Sequence, residues 1–278
     1  MADVSARRGG NAVTMTETFS LSLEQAHAYE DLFVPALFAQ WVPTLLHYAE
    51  VSAGQCVLDV ACGTGVVTRQ AAELVGPSGA VSGIDLNPAM IEVAKEHASG
   101  IDWRVGDAGE LPFTDAAFDA AVCQSALFFF SDPTQAVREM ARVVRSGGAV
   151  ALQTYSGLDQ QPAYGPFVAA VARLAGNDAR TVMGTYWSQG DLGALTSLME
   201  RAGLEVTTAD STLGQVRFPS IDAFVHTEIQ ATPLVSRIDD ATLLAILREA
   251  REVLSEHEQP DGGVVLPIRA CFVAGRKV

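Results

Sequence analysis

From residue 56 to residue 154 the chain alternates short apolar runs with helix-length amphipathic segments, and this alternation limits the fold more than any other feature. The apolar runs at 56–61, 80–84, 101–105, 118–123 and 149–154 are bounded by glycine, aspartate or proline and are strand-length. Between them, 66–75, 88–97 and 133–144 carry helical periodicity, and Pro88 and Pro133 sit at first turns, where a missing N–H does no harm. A strand, a helix and a further strand in succession form a crossover, which makes the strands parallel and covers both faces of the sheet. The reading is an α/β fold with a mostly parallel sheet and helices on both faces.

The flanking segments read differently. Residues 1–18 are small, polar and aperiodic, and are expected to be a disordered tail. Over 22–49, Tyr29, Leu32, Phe33, Ala36, Leu37 and Trp41 recur at three- and four-residue steps, with Pro35 and Pro43 expected to split the helical stretch. Residues 156–190 are rich in Gly, Pro and aromatics, with one helix expected at 167–174. A helix at 191–202, capped by Asp191 and stopped by Gly203, precedes a strand at 204–213; helices at 221–231 and 241–254 precede a last strand at 263–278. Seven strands result. The expected organisation is a single domain over 19–278, with an N-terminal helical lid (19–50) and cap segments at 156–190 and 218–256.

The net charge of −15 argues against non-specific binding to nucleic acid or anionic membranes, because both require basic surface. The four cysteines form no C-x-x-C pair and no cluster with zinc-ligand spacing, so they are expected to be free thiols, with no metal. No apolar stretch approaches the ~20 residues of a membrane helix, and Arg7-Arg8 is followed by Gly9-Gly10-Asn11 in place of a signal-peptide core. A cytoplasmic protein, monomeric or homodimeric and without membrane insertion, is the expectation.

The most informative segment is Val57-Leu-Asp-Val-Ala-Cys-Gly-Thr-Gly65. A buried strand runs into a glycine turn and a helix begins at once, so the backbone can approach a ligand closely beside free helix N–H groups. Asp85 ends the next strand, 20 residues after Gly65, where a carboxylate can hold ribose hydroxyls. Two features argue against a dinucleotide. The third glycine of G-x-G-x-x-G is replaced by Thr68, and Asp59 would repel a pyrophosphate but suits an amino group. A Tyr-x-x-x-Lys pair is also lacking, which further disfavours a nicotinamide-dependent dehydrogenase.

In order and spacing, this motif, Gly83-Ile-Asp-Leu-Asn-Pro-Ala-Met90, Gly106-Asp-Ala-Gly-Glu-Leu-Pro-Phe113, Phe118-Asp-Ala-Ala-Val-Cys-Gln124 and Arg145-Ser-Gly-Gly148 resemble the class I S-adenosylmethionine-dependent methyltransferases, above all the ubiquinone/menaquinone-biosynthesis group. The resemblance covers residues 55–155, is looser over 20–50 and slight after 160. It implies a Rossmann-like fold, S-adenosylmethionine as cofactor and S-adenosylhomocysteine as product. It further implies that Ala61, Cys62, Gly63 and Gly65 cradle the methionine moiety with Asp59 in support. Asp85 would bind the ribose, Leu86 and Met90 would flank the adenine, and Asp107 and Ala108 would meet its amine and ring. Gln124 would face the methionine chain, and Tyr29 would close over the carboxylate.

Methyl transfer from a sulfonium is an in-line displacement that needs positioning and dryness more than a dedicated catalytic group. A base is needed only when the nucleophile arrives protonated. Two candidates emerge. Tyr155 directly follows the fifth strand, and Glu228 lies on the apolar face of the 221–231 helix with Ile221, Phe224 and Val225, where burial should raise its pKa. With Phe128, Phe129, Tyr186 and Trp187 they suggest a small, largely apolar acceptor: quinone-like, phenolic, polyketide or another secondary metabolite, methylated on C, O or N. The alternative is a cofactor-binding protein of the same fold, acting as a sensor or catalysing a reaction other than methyl transfer.

Overall fold

The structure, a computed structural model, describes residues 21–230 and 232–278; the tail expected at 1–18 lies outside the described residues. The strands are β1 (Cys56–Val60), β2 (Ala80–Asp85), β3 (Asp102–Val105), β4 (Phe118–Gln124), β5 (Val144–Tyr155), β6 (Leu204–Phe218) and β7 (Val264–Lys277). They form one sheet in the order β3-β2-β1-β4-β5-β7-β6. β1 to β5 are parallel, and β7 runs antiparallel between β5 and β6. The order reverses between β1 and β4, so their carboxyl ends open a crevice where ligands bind in such sheets.

Strand parity divides the core in two. Val57, Ala120, Val122, Ala151 and Phe272 pack on one face with α2 (Val42–Tyr48) and α3 (Val66–Val75). Leu58, Val60, Ala121, Cys123, Leu152 and Val273 pack on the other with α5 (Pro133–Val143) and α8 (Leu192–Arg201). Because side chains alternate along a strand, Asp59, Gln124, Gln153 and Tyr155 all belong to the first face, and each is buried there. That parity supplies the polar equipment of the crevice.

The N-terminal segment folds as α1 (Leu23–Ala28), a π-helix (Tyr29–Phe38) and α2. Pro35 does not break it as expected. It lies inside the π-helix, whose wider turns accommodate a residue that an α-helix would expel. Pro43, near the start of α2, does mark a new helix. α1 docks on α4 (Pro88–His97) through Ala26, Met90 and Val93. On the far side of the crevice, α6 (Tyr164–Ala175), α7 (Asn177–Gly184), α9 (Ile221–Gln230) and α10 (Asp240–Val253) form the cap. α7 was not anticipated, and β6 extends to Phe218, five residues past the expected end, because it pairs with β7 along its length.

Candidate active site

The turn after β1 is built from backbone. Ala61, Gly63 and Gly65 all have positive φ (56°, 55° and 91°), and Gly65 opens α3. A Cβ at Gly65 would stand 2.4 Å from the Trp103 ring, so glycine is required by space as well as by φ. Beneath the turn, Thr68 on α3 donates its hydroxyl to Asp59 at 2.5 Å. Burial pushes the Asp59 carboxyl up to about 7 against that hydrogen bond, and nearby Asp85 adds to the rise. Asp85 accepts the N–H of Gly63 at 2.8 Å and of Asn87 at 2.9 Å. Burial raises its pKa, and these two bonds oppose the rise.

The N-terminal segment closes over this turn. The Tyr29 hydroxyl lies 3.6 Å from where a Gly63 side chain would begin, and its ring stacks on Phe33 and Phe38. Next to it, Glu30 pairs with Arg69 of α3 at 2.6 Å, and the same guanidinium donates to the Thr64 carbonyl at 2.6 Å. Arg69 thereby ties the lid to the turn.

A cavity of about 570 Å³ runs from Gly63, Asp85 and Met90 past Gln124 and Ser125 into an aromatic chamber of Phe128, Phe129, Tyr155, Tyr164, Tyr186 and Trp187. The rings meet mainly edge-on or tilted: Phe128 and Phe129 both contact Tyr186, and Tyr155 and Tyr164 both contact Trp187. Among the described residues, the charged groups of the wall are Asp85 and Glu228, with no Lys, Arg or His. Tyr164 donates to Glu228 at 3.3 Å. Glu228 is half-buried on the cavity wall, and burial pushes its carboxyl up to about 7 against the Tyr164 bond. Burial also raises the Tyr155 hydroxyl well above the ordinary tyrosine range, so it keeps its proton.

Residues 58–152 match the family described as Methyltransferase domain. The ubiquinone/menaquinone biosynthesis C-methyltransferase UbiE of Hahella chejuensis is 32% identical over 195 residues, covering 63% of this chain and 76% of that protein. The chain belongs to the class I S-adenosylmethionine-dependent methyltransferases. The demethylmenaquinone methyltransferase of Desulfitobacterium hafniense is 31% identical over 50% of this chain, and the match spans 57% of its own length. A phosphoethanolamine N-methyltransferase of Haemonchus contortus, solved with S-adenosylhomocysteine, superposes with a TM-score of 0.56 at 18% identity, covering 92% of this chain and 57% of that one. At that identity the likeness speaks to the fold.

The methyltransferase uses S-adenosylmethionine, which supplies an electrophilic methyl on a sulfonium when bound. The residues present fit it. Gln124 Oε1 is a buried oxygen without a partner on the cavity wall beside the turn, and a ligand rich in N–H and O–H donors supplies what it lacks.

The structure brings Tyr29, Ala61, Gly63, Asp85, Met90, Gln124, Tyr155 and Glu228 to one cavity wall. Asp59 lies beneath the turn, and Cys62 and Gly65 belong to the turn, but none of the three is on that wall. Leu86 is exposed beside Asp85, and Ala108 is buried in the core on the other face. Asp107 is exposed and spends one carboxylate oxygen on the Gly109 N–H, which closes its own turn. Glu228, which a surface helix end would have released to solvent, is instead enclosed by the cap. Tyr164 was not foreseen. It lies three residues before Phe167, so extending the helix by one turn would have placed it on the same face. No helix of the described residues is long and apolar enough to cross a membrane.

Proposed function

We propose that this methyltransferase alkylates a small, largely apolar acceptor of quinone-like or phenolic kind, with Glu228 receiving the acceptor's proton. The observation that carries the reading is the single cavity, which joins the glycine turn to an aromatic chamber holding one carboxylate and no cation. Anionic acceptors would find no counter-charge there. An amine would be held protonated by a half-buried carboxylate, which opposes its attack on the methyl. A neutral hydroxyl meets neither obstacle, and a carboxyl raised to about 7 is a better base for it than one at its ordinary value. The names of the relatives, which are quinone-biosynthesis methyltransferases, point the same way.

In this reading the turn at Ala61–Gly65 and Gln124 hold the methionine portion, with Tyr29 over it and Asp59 fixing the turn through Thr68. Asp85 has a free lone pair on each oxygen for the ribose hydroxyls. Leu86 and Met90 offer apolar surface to the adenine, and the Asp107–Ala108 turn adjoins because the Gly106 N–H bonds the Asp85 carbonyl. As the acceptor atom takes the methyl and the carbon–sulfur bond breaks, the acceptor's hydroxyl proton passes to Glu228. Tyr155, which stays protonated, orients and does not deprotonate.

The test is S-adenosylhomocysteine release across phenols, hydroquinones, amines and carboxylates, followed by the pH profile of the best acceptor with wild type and Glu228→Gln. Phenolic or hydroquinone acceptors are expected to lead, and Glu228→Gln to lose the acidic limb of the profile. Turnover confined to amines or anions would overturn the acceptor class. A parallel profile in the variant would overturn the base.

A further inference from the structure

Behind the acceptor half of the cavity lies a buried polar chain that the proton transfer to Glu228 does not use. Gln153 and Tyr155 are two residues apart on β5 and share a face. Ser125 follows β4 on the neighbouring strand, and its N–H bonds the Gln153 carbonyl at 2.9 Å. All three side chains are buried, and Ser125 and Tyr155 line the cavity. Ser125 also has φ 52°, a left-handed conformation that a serine adopts only when its surroundings impose it.

The hydrogen positions follow from one end of the chain. Gln153 Nε2 donates to the Thr154 carbonyl at 2.7 Å, which leaves Gln153 Oε1 as an acceptor. Ser125 Oγ lies 2.6 Å from that oxygen and 3.2 Å from the Tyr155 hydroxyl. A serine hydroxyl has a single proton, and a carbonyl oxygen can only accept, so that proton goes to Gln153. The contact between Ser125 and Tyr155 must then use the tyrosine's proton. The Trp41 indole N–H, a donor only, also lies beside the Tyr155 hydroxyl, although it meets no full hydrogen-bond geometry. Both neighbours leave the Tyr155 oxygen with acceptor capacity alone.

We propose that Ser125 and Gln153 are positioning residues that fix the Tyr155 hydroxyl as a hydrogen-bond acceptor toward the cavity. The site then selects aromatic acceptors that carry a second free hydroxyl, beside the one that donates to Glu228, over the same skeleton with that second hydroxyl capped. The inference rests on the acceptor reading given above. A buried group committed to one hydrogen-bonding role rejects a ligand that cannot complement it more strongly than an apolar wall would.

The experiment is anaerobic calorimetry with 1,4-dihydroxynaphthalene and 4-methoxy-1-naphthol on the full chain saturated with S-adenosylhomocysteine. Wild type is expected to prefer the diol by about tenfold. Ser125→Ala frees the tyrosine proton to turn toward the cavity, and Tyr155→Phe removes the acceptor. Each should reduce the preference to about twofold or less without changing S-adenosylhomocysteine affinity, and the double variant should go no further. Ser125→Gly, which keeps the positive φ without strain, should match Ser125→Ala, separating the hydroxyl from the backbone. An unchanged preference in both serine variants, or no preference in wild type, overturns the relay and leaves the acceptor reading intact. Failure of both probes to bind wild type overturns the acceptor reading and the relay with it.

Discussion

The two halves of the cavity are made by different means. Around Gly63 the wall is backbone: three consecutive alternate residues in left-handed conformation, and a carboxylate held by two main-chain N–H groups. Around Glu228 the wall is side chain: rings from β5, α6 and the turns near 128 and 186, packed edge-on or tilted, with one carboxylate bonded to one tyrosine. A wall of backbone tolerates almost no change in sequence and so leaves a readable motif. A wall of side chains can be rebuilt ring by ring, and the acceptor can change with it while the cofactor stays the same.

The sharpest way to break the contrast is Gly65→Ala. The new methyl would meet Trp103 at 2.4 Å, on a backbone with φ 91°. Left-handed strain and overpacking together are expected to destabilise the fold by roughly 2–6 kcal/mol. S-adenosylhomocysteine binding should fall below detection in calorimetry. On the opposite wall, Phe129→Leu should raise the acceptor KM and leave the cofactor affinity unchanged. A fully stable Gly65→Ala that binds cofactor normally would mean the turn has room to give, and the distinction between the halves would fail.

A second comparison sets a buried carboxyl, Asp59, against a half-buried one, Glu228. Asp59 and Glu228 are both pushed up to about 7, but Asp59 is anchored by a 2.5 Å bond from Thr68 and Glu228 only by a 3.3 Å bond from Tyr164. Glu228 is therefore expected to be held for function at the expense of stability. Its folded pKa of about 7 lies above the ordinary 4.5. The folded state thus holds the proton that the unfolded chain releases, and stability falls as pH rises from about 4.5 to about 7. At about 1.36 kcal/mol per unit, the loss is about 3 kcal/mol. Glu228→Gln removes that dependence. Urea melts of both proteins at pH 5 and pH 8.5 should show the variant's advantage growing by about 2.5 kcal/mol, since part of the loss has already occurred by pH 5, and Asp59 cancels because it is present in both. An advantage that does not change with pH would place the Glu228 carboxyl near its ordinary value and weaken its candidacy as a base.

The same division explains what was legible in the sequence. Strand parity and helix period located β1 to β5, and the glycine turn and Asp85 stood out because special backbone demands special residues. The acceptor half was legible only as a set of aromatics. Glu228 was found because a carboxylate at helical spacing from Ile221, Phe224 and Val225 breaks an apolar face. Ser125 could be placed on the acceptor wall because it follows the carboxyl end of the fourth strand, but like Tyr164 it carries no mark of its partner. Their importance comes from partners 28 and 64 residues away, and no local pattern records a pairing that the fold alone creates. Pro35 misled for the converse reason, since the local rule against proline within a helix yielded to a π-helix fixed by the packing of Tyr29, Phe33 and Phe38.

The smallest effect is expected where the lid meets the turn. Glu30 and Arg69 form a half-buried pair at 2.6 Å, and Arg69 also holds the Thr64 carbonyl. Ion pairs that keep contact with solvent are worth little, about 0.5–1 kcal/mol. Glu30→Gln should therefore weaken S-adenosylhomocysteine binding by only about two- to fivefold. Arg69→Gln should lose somewhat more, because the Thr64 carbonyl loses its donor as well. Adding Glu30→Gln to Arg69→Gln should cost nothing further, since the lid side of the pair then has no partner left to lose. Calorimetry on the four proteins closes the cycle. Additive losses would mean that the two residues act separately. The lid would then be held beside the turn by the packing of Ala26 on Met90 and Val93, which would make it a side-chain structure like the acceptor wall and not an extension of the backbone-built cofactor half.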